Sequence, residues 1–236
     1  MKMTEILLSL KDITVNYRLR RSLFRHVQVE ALKDISFDLY RGETLGVIGK
    51  NGAGKSTLLR LLAGIYHPDI GTFHNYGVRV SLLSLQLGFD PDLTGRENII
   101  LSGMLLGHRK SVAVTNIDKI IDFSELGDSI NRPIKTYSNG MRARLGFSIA
   151  ITLHTDVILI DEVLAVGDAE FRSKAMRIIK ERIRSEQTVI LVSHAANQIR
   201  ELCDRVLWIE NGKIHRIGET NAVLHEYENH SALLMQ

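Results

Sequence analysis

The segment Gly49–Thr57, with the sequence GKNGAGKST, decides the fold of this chain. The apolar run TLGVI precedes it and the run LLRLLAGI follows it, which predicts a buried strand, a glycine-rich turn and a helix in succession. Glycines let the backbone curl so that several N–H groups converge, and the following helix adds its positive end. The segment therefore predicts a polyphosphate cradle, the alternative being a tight turn that carries a surface lysine.

Two side chains of this loop have predicted chemical roles. Lys55 is expected to reach the β- and γ-phosphates as a compact cation, and the Ser56 hydroxyl to complete a Mg²⁺ site on the same oxygens. Lys50 adds a second cation to the loop, with a solvent-facing side chain as the alternative. The residues predicted to bind nucleotide here are Gly49, Lys50, Asn51, Gly52, Ala53, Gly54, Lys55, Ser56 and Thr57.

Composition limits the class of protein. The chain has 236 residues, of which 44% are hydrophobic and 24% charged, enough for one substantial core or two joined lobes. A net charge of +3 is too mild to indicate a nucleic-acid partner, and the single cysteine, Cys203, excludes an internal disulfide. No apolar stretch approaches the ~20 residues of a membrane span, and the N-terminus lacks a secretory signal pattern. We expect a cytoplasmic protein whose membrane role, if any, is peripheral.

Short apolar runs alternate with helical patterns along the chain. The runs TLGVIG, DVILIDE and TVILVSH predict buried strands of a parallel sheet, and residues 172–186 predict a crossover helix before the third. ITVNYRL and VEALKDISFDLYRGE alternate apolar and polar residues, which predicts an antiparallel flank. The fold class expected is α/β, a P-loop NTPase with a mixed-sheet core, an N-terminal antiparallel flank and an inserted helical lobe.

The predicted organisation is a single domain, residues 1–236. Its core spans about 1–90 and 156–220, its helical lobe about 91–155, and its C-terminal tail 221–236. The tail suffices for one short helix and is far below the ~50 residues of the smallest usual domain, so we expect no separate ligand-recognition module there.

Polar residues follow two of the predicted strands. Asp161 ends a buried strand and could hold the metal, while Glu162 could orient or deprotonate an attacking water. His194 ends another strand, where ligands bind in open α/β folds, and is predicted to sense the γ-phosphate. The alternatives are a helix cap or solvated strand end for the carboxylates and a structural role for the histidine. We predict Lys55, Glu162 and His194 as the catalytic residues.

The segment Tyr137–Ala150, YSNGMRARLGFSIA, resembles the signature loop and helix of ABC-transporter ATPases. It lies between the phosphate loop and the Asp-Glu strand, as that family requires, and the match runs from Tyr17 to about Gly218. More narrowly, LTGREN, YSNGMRARL and DEVLAVGDAEFRSK resemble the cassettes that drive export of bacterial cell-surface polysaccharides, including O-antigen, capsule and teichoic acid.

The resemblance implies that the nucleotide is ATP and that the chain is a translocase-coupled ATPase. Tyr17 matches the aromatic residue that stacks on adenine, with hydrophobic packing as the alternative. Ser138 and Gly140 match signature positions that contact the γ-phosphate from the opposite subunit of a homodimer sandwiching two ATP molecules. Asp168 matches the loop that crosses between the two sites, with a charged turn residue as the alternative.

The implied partners are a membrane-spanning permease and, indirectly, a lipid-linked polysaccharide, at the cytoplasmic face of the plasma membrane. The groove near residues 86–97 is expected to receive the permease. Two other functions stay open at this point: an ABC ATPase for another exported substrate, and a soluble ABC ATPase without a transport role. A small-molecule kinase would not need the segment YSNGMRARL.

The chain departs from the family pattern at several positions. Asn139 and Met141 replace residues that are glycine and glutamine in many ABC proteins. Gln86 is the only glutamine near the inter-lobe loop, but its spacing to LTGREN is not that of the usual metal-binding glutamine, so its assignment as a metal ligand stays open. The basic stretch Arg18–His26 fits either anionic headgroups or a solvated hairpin tip.

Overall fold

The computed structural model describes residues 5–22, 25–83, 88–161 and 168–233, and it divides the chain into two compact units. Unit 1 comprises Met1–Val78 and Ser185–Gln236, and unit 2 comprises Arg79–Arg184. The two units are defined by how compactly their residues pack, whereas the core and lobe were predicted from sequence motifs. The two divisions therefore describe different properties, and the core and lobe boundaries stay a prediction.

Strands and helices alternate through most of the chain. The strands are β1 (Ile6–Ser22), β2 (Arg25–Tyr40), β3 (Thr44–Ile48), β4 (Ile70–Asn75), β5 (Val80–Leu82), β6 (Val157–Ile160), β7 (Thr188–Val192), β8 (Arg205–Glu210) and β9 (Lys213–Glu219). The α-helices are α1 (Lys55–Leu62), α2 (Gly95–Leu105), α3 (Lys110–Thr115), α4 (Ile117–Ser124), α5 (Asn139–Thr152), α6 (Ala169–Arg184), α7 (Ala196–Leu202) and α8 (Thr220–Leu233). Short 3₁₀ helices lie at Gly127–Asn131 and Ile134–Thr136.

Unit 1 contains a mixed sheet with the strand order β7-β3-β8-β9. β3 pairs in parallel with β7 and β8, and β9 pairs antiparallel to β8. Every residue of β3 and β7 is buried, as their unbroken apolar runs require when both faces of a sheet are covered. The prediction that TLGVI and TVILV are buried strands of one parallel sheet is confirmed, and the structure shows in addition that they are neighbours, with Thr44 opposite Val189.

An antiparallel sheet with the order β2-β1-β4 forms the N-terminal flank. β1 and β2 pair along nearly their whole length, from Ile6 opposite Tyr40 to Ser22 opposite Arg25. Bulges interrupt this ladder between Leu10 and Val15. The flank predicted from alternating residues is therefore present, and it carries Tyr17 on β1.

The hydrophobic core of unit 1 includes β3 and β8. Trp208 is 1% exposed. A Cβ on Gly46 would lie 3.0 Å from Cys203 Sγ, so a larger residue would require the neighbouring side chains to shift. Burial raises the pKa of the Cys203 thiol to about 12, so the thiol stays protonated and acts as a small packing residue.

Unit 2 combines the parallel pair β5–β6 with helices α2 to α6. Its core joins α2, α4 and α5 through a cluster of buried aliphatic residues: Ile99, Ile117, Ile120, Leu126, Leu145, Ile149 and Leu153. The predicted helical lobe is thus observed.

The segment LTGREN has a structural role at the start of α2. Thr94 Oγ1 accepts a hydrogen bond from Glu97 N, and Glu97 Oε2 accepts one from Thr94 N, which forms a capping box. Asn98 is fully buried, and its side-chain amide donates to the carbonyl oxygens of Asp90, Leu93 and Thr94 at 2.9–3.1 Å. These residues fix the loop that leads into α2.

Among the described residues, none of the helices has both the length and the apolar composition needed to cross a bilayer.

Candidate functional site

The phosphate loop has the backbone that its glycines predict. Gly54 has φ +109° and directly precedes α1. A Cβ on Gly54 would lie 2.5 Å from Ala31 O, and one on Gly49 would lie 2.2 Å from Ile209 O. No larger residue fits either position without moving backbone, so β2 and β8 hold the loop in shape.

Lys55 places its charge inside the loop. The residue is 8% exposed, and its ammonium donates hydrogen bonds to Gly49 O at 2.7 Å and to Lys50 O at 3.0 Å. Carbonyl oxygens satisfy this buried cation, and they are the same kind of acceptor that a phosphate offers.

The first turn of α1 also contacts Tyr17. The Tyr17 hydroxyl and Thr57 Oγ1 are hydrogen-bonded at 3.1 Å, and the Tyr17 ring packs edge-on against Tyr66 at 5.7 Å. Ser56 is exposed, whereas Thr57 is buried. The structure therefore brings the predicted adenine residue to the helix of the phosphate loop, a contact that sequence reasoning missed because the two positions are 40 residues apart.

Residues 50–53 line a cavity of about 440 Å³ together with Glu210, Asn211 and His230. Glu210 ends β8 and His230 belongs to α8, so the C-terminal helix contributes to the surroundings of the loop. Lys50 is exposed on this cavity. No sequence motif points to Glu210 or His230.

The strand-end residues are described separately because they belong to different units. Asp161 follows β6 directly in unit 2 and is partly buried. His194 lies two residues after β7 in unit 1 and is exposed. Glu162 and Gln86 lie outside the described residues, as do the side chains of residues 18–28.

The residues predicted to contact the nucleotide bound by the opposite subunit line one cavity in unit 2. Ser138, Gly140, Met141 and Asp168 line this cavity, which has a volume of about 370 Å³. Ser138 caps α5, since its Oγ accepts a hydrogen bond from Met141 N at 3.2 Å. Asn139 is exposed at the first position of the helix. The predicted signature residues and the predicted crossing-loop residue are thus brought together.

Arg144, for which the sequence predicted no role, links two carboxylates at this cavity. Its guanidinium donates to Glu125 Oε2 at 3.1 Å and to Asp168 Oδ2, and Lys174 donates to Glu125 Oε1 at 2.6 Å. The Phe171 N–H at 3.0 Å, and then Arg144, lower the pKa of Asp168 below its ordinary value. The only sequence signal is the place of Arg144 in YSNGMRARL.

The part of the chain that the structure describes holds no group of three or more His, Cys, Asp or Glu side chains suited to a metal ion.

Comparison with known proteins identifies the family. The sequence profile described as ABC transporter matches residues 32–165 of the 236. Two solved structures share the fold at 20% identity. The dimeric ATP-binding cassette MJ0796 bound to ADP and Pi has a TM-score of 0.72, with 90% of this chain and 98% of that chain covered. An ATP-binding subunit of an ABC transporter has a TM-score of 0.75, with 94% and 93% covered.

Relatives with higher sequence identity have names that refer to export. The O-antigen export system ATP-binding protein RfbB of Klebsiella pneumoniae is 42% identical over 93% of this chain and 89% of its own length. The teichoic acids export ATP-binding protein TagH of Enterococcus faecalis is 45% identical over 84% of this chain, which spans 44% of that protein. The profile covers more than half of the chain, and similarity to RfbB extends over nearly all of it. The chain therefore belongs to the ABC transporter family.

Proposed function

We propose that this chain is the ATP-hydrolysing subunit that powers export of a lipid-linked cell-surface polysaccharide, with O-antigen as the first candidate, through a separate membrane-spanning partner. The observation that carries the proposal is the similarity to an O-antigen export protein over nearly the full length of both chains. That similarity includes unit 2, which carries the helical lobe, as well as the widespread phosphate loop.

The loop would bind the ATP phosphates through its backbone and Lys55. The Lys55 ammonium now donates to two loop carbonyls, and γ-phosphate oxygens would take their place as acceptors. The N–H groups at the start of α1 would add further donors, because a helix leaves its first four without intrahelical partners. Tyr17, which contacts Thr57 on α1, would pack beside the adenine.

The predicted metal ligands are oxygen donors of the kind that bind Mg²⁺. The Ser56 hydroxyl is exposed at the start of α1, and the Asp161 carboxylate is partly exposed after β6. Both are hard oxygen ligands of the kind that Mg²⁺ prefers, with phosphate oxygens and water as its remaining ligands. When bound, Mg²⁺ neutralises charge on the transferred phosphoryl group. Gln86 stays a sequence-based prediction as a further ligand.

Hydrolysis would use residues that follow buried strands. Glu162, next to Asp161 after β6, would orient or deprotonate the attacking water. His194, after β7, would hydrogen-bond the γ-phosphate. Catalysis would then consist mainly of positioning and charge stabilisation.

Ser138 and Gly140 would complete the site of a second subunit. Support comes from the start of α5, where the Ser138 side chain is exposed on an open cavity with Gly140 and Asp168. The helix N-terminus there offers N–H donors suited to a γ-phosphate. One homodimer would thus enclose two ATP molecules, and closure around them would drive the permease at the cytoplasmic face of the membrane, through the groove near residues 86–97.

A complementation experiment tests the proposal. In the source cell, deletion of this gene should abolish the surface polysaccharide and leave its lipid-linked form inside, and the wild-type gene should restore export. Lys55→Ala should fail to restore export, whereas the matched control Lys110→Ala, on α3 in unit 2, should succeed. Normal surface polysaccharide in the deletion strain would reject the proposed substrate.

A further inference from the structure

A second cavity in unit 2, apart from the residues assigned to ATP, has a strongly basic lining. It has a volume of about 620 Å³, within the range of ligand-binding pockets. Its charged and imidazole side chains are Arg79, His108, Lys119, His154 and Arg182. Among the described residues, no carboxylate lines it.

Two hydrogen-bonded arginine–histidine pairs form part of the cavity wall. Arg79 Nη1 lies 3.2 Å from His108 Nδ1, and Arg182 Nη1 lies 2.9 Å from His154 Nδ1. A guanidinium can only donate, so both Nδ1 atoms accept and the proton of each neutral ring is on Nε2. Each pair therefore places the remaining guanidinium N–H donors beside a neutral imidazole ring.

The surroundings of both imidazoles favour the neutral form, although His108 is buried and His154 is exposed. Desolvation and then the neighbouring arginine lower the pKa of both His108 and His154. His108 is 8% exposed, and its buried Nε2 has no hydrogen-bond partner among the described residues. A buried donor without an acceptor costs free energy, and this one belongs to a residue that lines the cavity.

Negative groups also lie near the positive charges of the cavity. Asp156 Oδ2 lies 3.6 Å from Arg79 Nε and accepts a hydrogen bond from Arg79 N at 2.8 Å. The C-terminal end of α5 adds about half a negative charge, and Ile151 O there accepts a hydrogen bond from Arg182 Nη2 at 3.1 Å. Lys119, on α4, has no carboxylate opposite it in the cavity lining.

The other lining residues are mostly apolar, namely Val112, Phe123, Ile151, Leu153 and Ile178, with Asn116 and Thr152 as the polar exceptions. A cavity that combines basic donors with apolar side chains accepts an anionic group attached to a carbon-rich body. Guanidinium and ammonium donors of this kind suit phosphate oxygens.

We propose that this basic cavity binds the phosphate group of a small phosphorylated molecule, with the body of that molecule against the apolar wall. The inference is independent of the exported substrate. The cavity adjoins the last turn of α5, whose first turn carries Ser138, about 20 Å away at 1.5 Å per residue. A ligand there would touch the helix that presents the signature residues.

Histidine side-chain NMR of the full chain tests the site. The background is Lys55→Ala, which weakens phosphate binding by the loop, and the His108 and His154 signals are assigned from His108→Gln and His154→Gln. Three probes are titrated: inorganic phosphate, a hexose phosphate, and vesicles of phosphatidylcholine with phosphatidylglycerol. We expect saturable shifts of both signals with hexose phosphate, at lower concentration than with inorganic phosphate.

Matched charge variants make the test decisive. Arg79→Gln with Lys119→Gln should weaken binding at least about tenfold, the effect of losing charge-assisted hydrogen bonds. Lys119→Gln alone changes only an exposed side chain and should weaken it about threefold, whereas Lys110→Gln, outside the cavity, should have no effect. Shifts that appear only with vesicles and are lost in the variants would assign the phosphate to a lipid headgroup. No saturable shift with any probe, or shifts that both charge variants retain, would overturn the proposal.

Discussion

At the scale of single residues, the phosphate loop depends on backbone shape and on one buried cation. The Lys55 ammonium is buried, and two loop carbonyls accept its hydrogen bonds. Those carbonyls point at Lys55 only because Gly49 and Gly54 adopt conformations and contacts that exclude a Cβ. The chemistry of the loop therefore rests on two glycines that carry no functional group.

Gly54→Ala and Gly52→Ala separate these effects. Both glycines have positive φ, but a Cβ on Gly54 would clash with Ala31 O at 2.5 Å, whereas a Cβ on Gly52 meets nothing within 4 Å. We expect Gly52→Ala to lower the free energy of unfolding by about 1 kcal/mol, and Gly54→Ala to lower it by about 3 kcal/mol and to abolish ATP binding. Urea unfolding and nucleotide titration measure both. Equal losses in the two variants would contradict the account of the loop.

The loop could be predicted from sequence because its residues are adjacent, whereas its surroundings could not. Gly49–Thr57 carries its conformation in its own glycines and in the flanking strand and helix. The contact of Tyr17 with Thr57 depends on how β1 packs, which no local pattern encodes. By contrast, Thr94 and Glu97 of LTGREN form a capping box whose T-x-x-E spacing is local and can be read from the sequence.

At the scale of elements, α5 and α6 are joined through Asp168. This residue precedes α6, accepts the Phe171 N–H as a helix cap does, and pairs with Arg144 of α5. Arg144 also holds Glu125 after α4. Three elements therefore meet at one guanidinium beside the cavity of Ser138 and Gly140.

The lowered pKa of Asp168 predicts a dependence of stability on pH. Because the folded pKa lies below the unfolded one, the carboxylate stabilises the fold above the unfolded value of about 3.9, and this contribution is lost as pH falls through the folded pKa. Asp168→Asn should therefore destabilise the protein at pH 7 but progressively less below pH ~4. Arg144→Gln should reduce the same dependence, and Arg144→Lys should largely retain it. Urea unfolding between pH 7 and 3 measures this, and a pH-independent difference for Asp168→Asn would refute the linkage.

At the scale of the whole molecule, the two parts of the proposed ATP site lie in different units of the chain. Lys55 belongs to unit 1 and Ser138 to unit 2. In a head-to-tail homodimer, each site would take the phosphate loop from one subunit and the signature loop from its partner. The sequence motifs define both halves, but one chain alone does not reveal how two copies pair.

Mixing two inactive variants tests the shared site. A heterodimer of Lys55→Ala and Ser138→Ala subunits would hold one site with both lesions and one with neither. We expect ATPase activity roughly tenfold or more above either variant alone, because the intact site regains all of its groups. The measurement is ATP turnover across mixing ratios, with heterodimers verified by differently tagged subunits. If verified heterodimers stay as inactive as the parents, either the pairing is wrong or both sites must be competent.

The most direct measurement follows polysaccharide across a membrane. Inside-out vesicles that contain the permease and a radiolabelled lipid-linked polysaccharide receive this protein and ATP, and an added glycosidase degrades any polysaccharide that stays outside. The account predicts time-dependent protection of the label with the wild-type chain and ATP. It predicts none with Glu162→Gln, which should bind ATP but turn over about 10²- to 10⁴-fold more slowly. Protection that is equal with and without ATP hydrolysis, or absent although the wild-type chain binds the permease and hydrolyses ATP, would contradict the central claim.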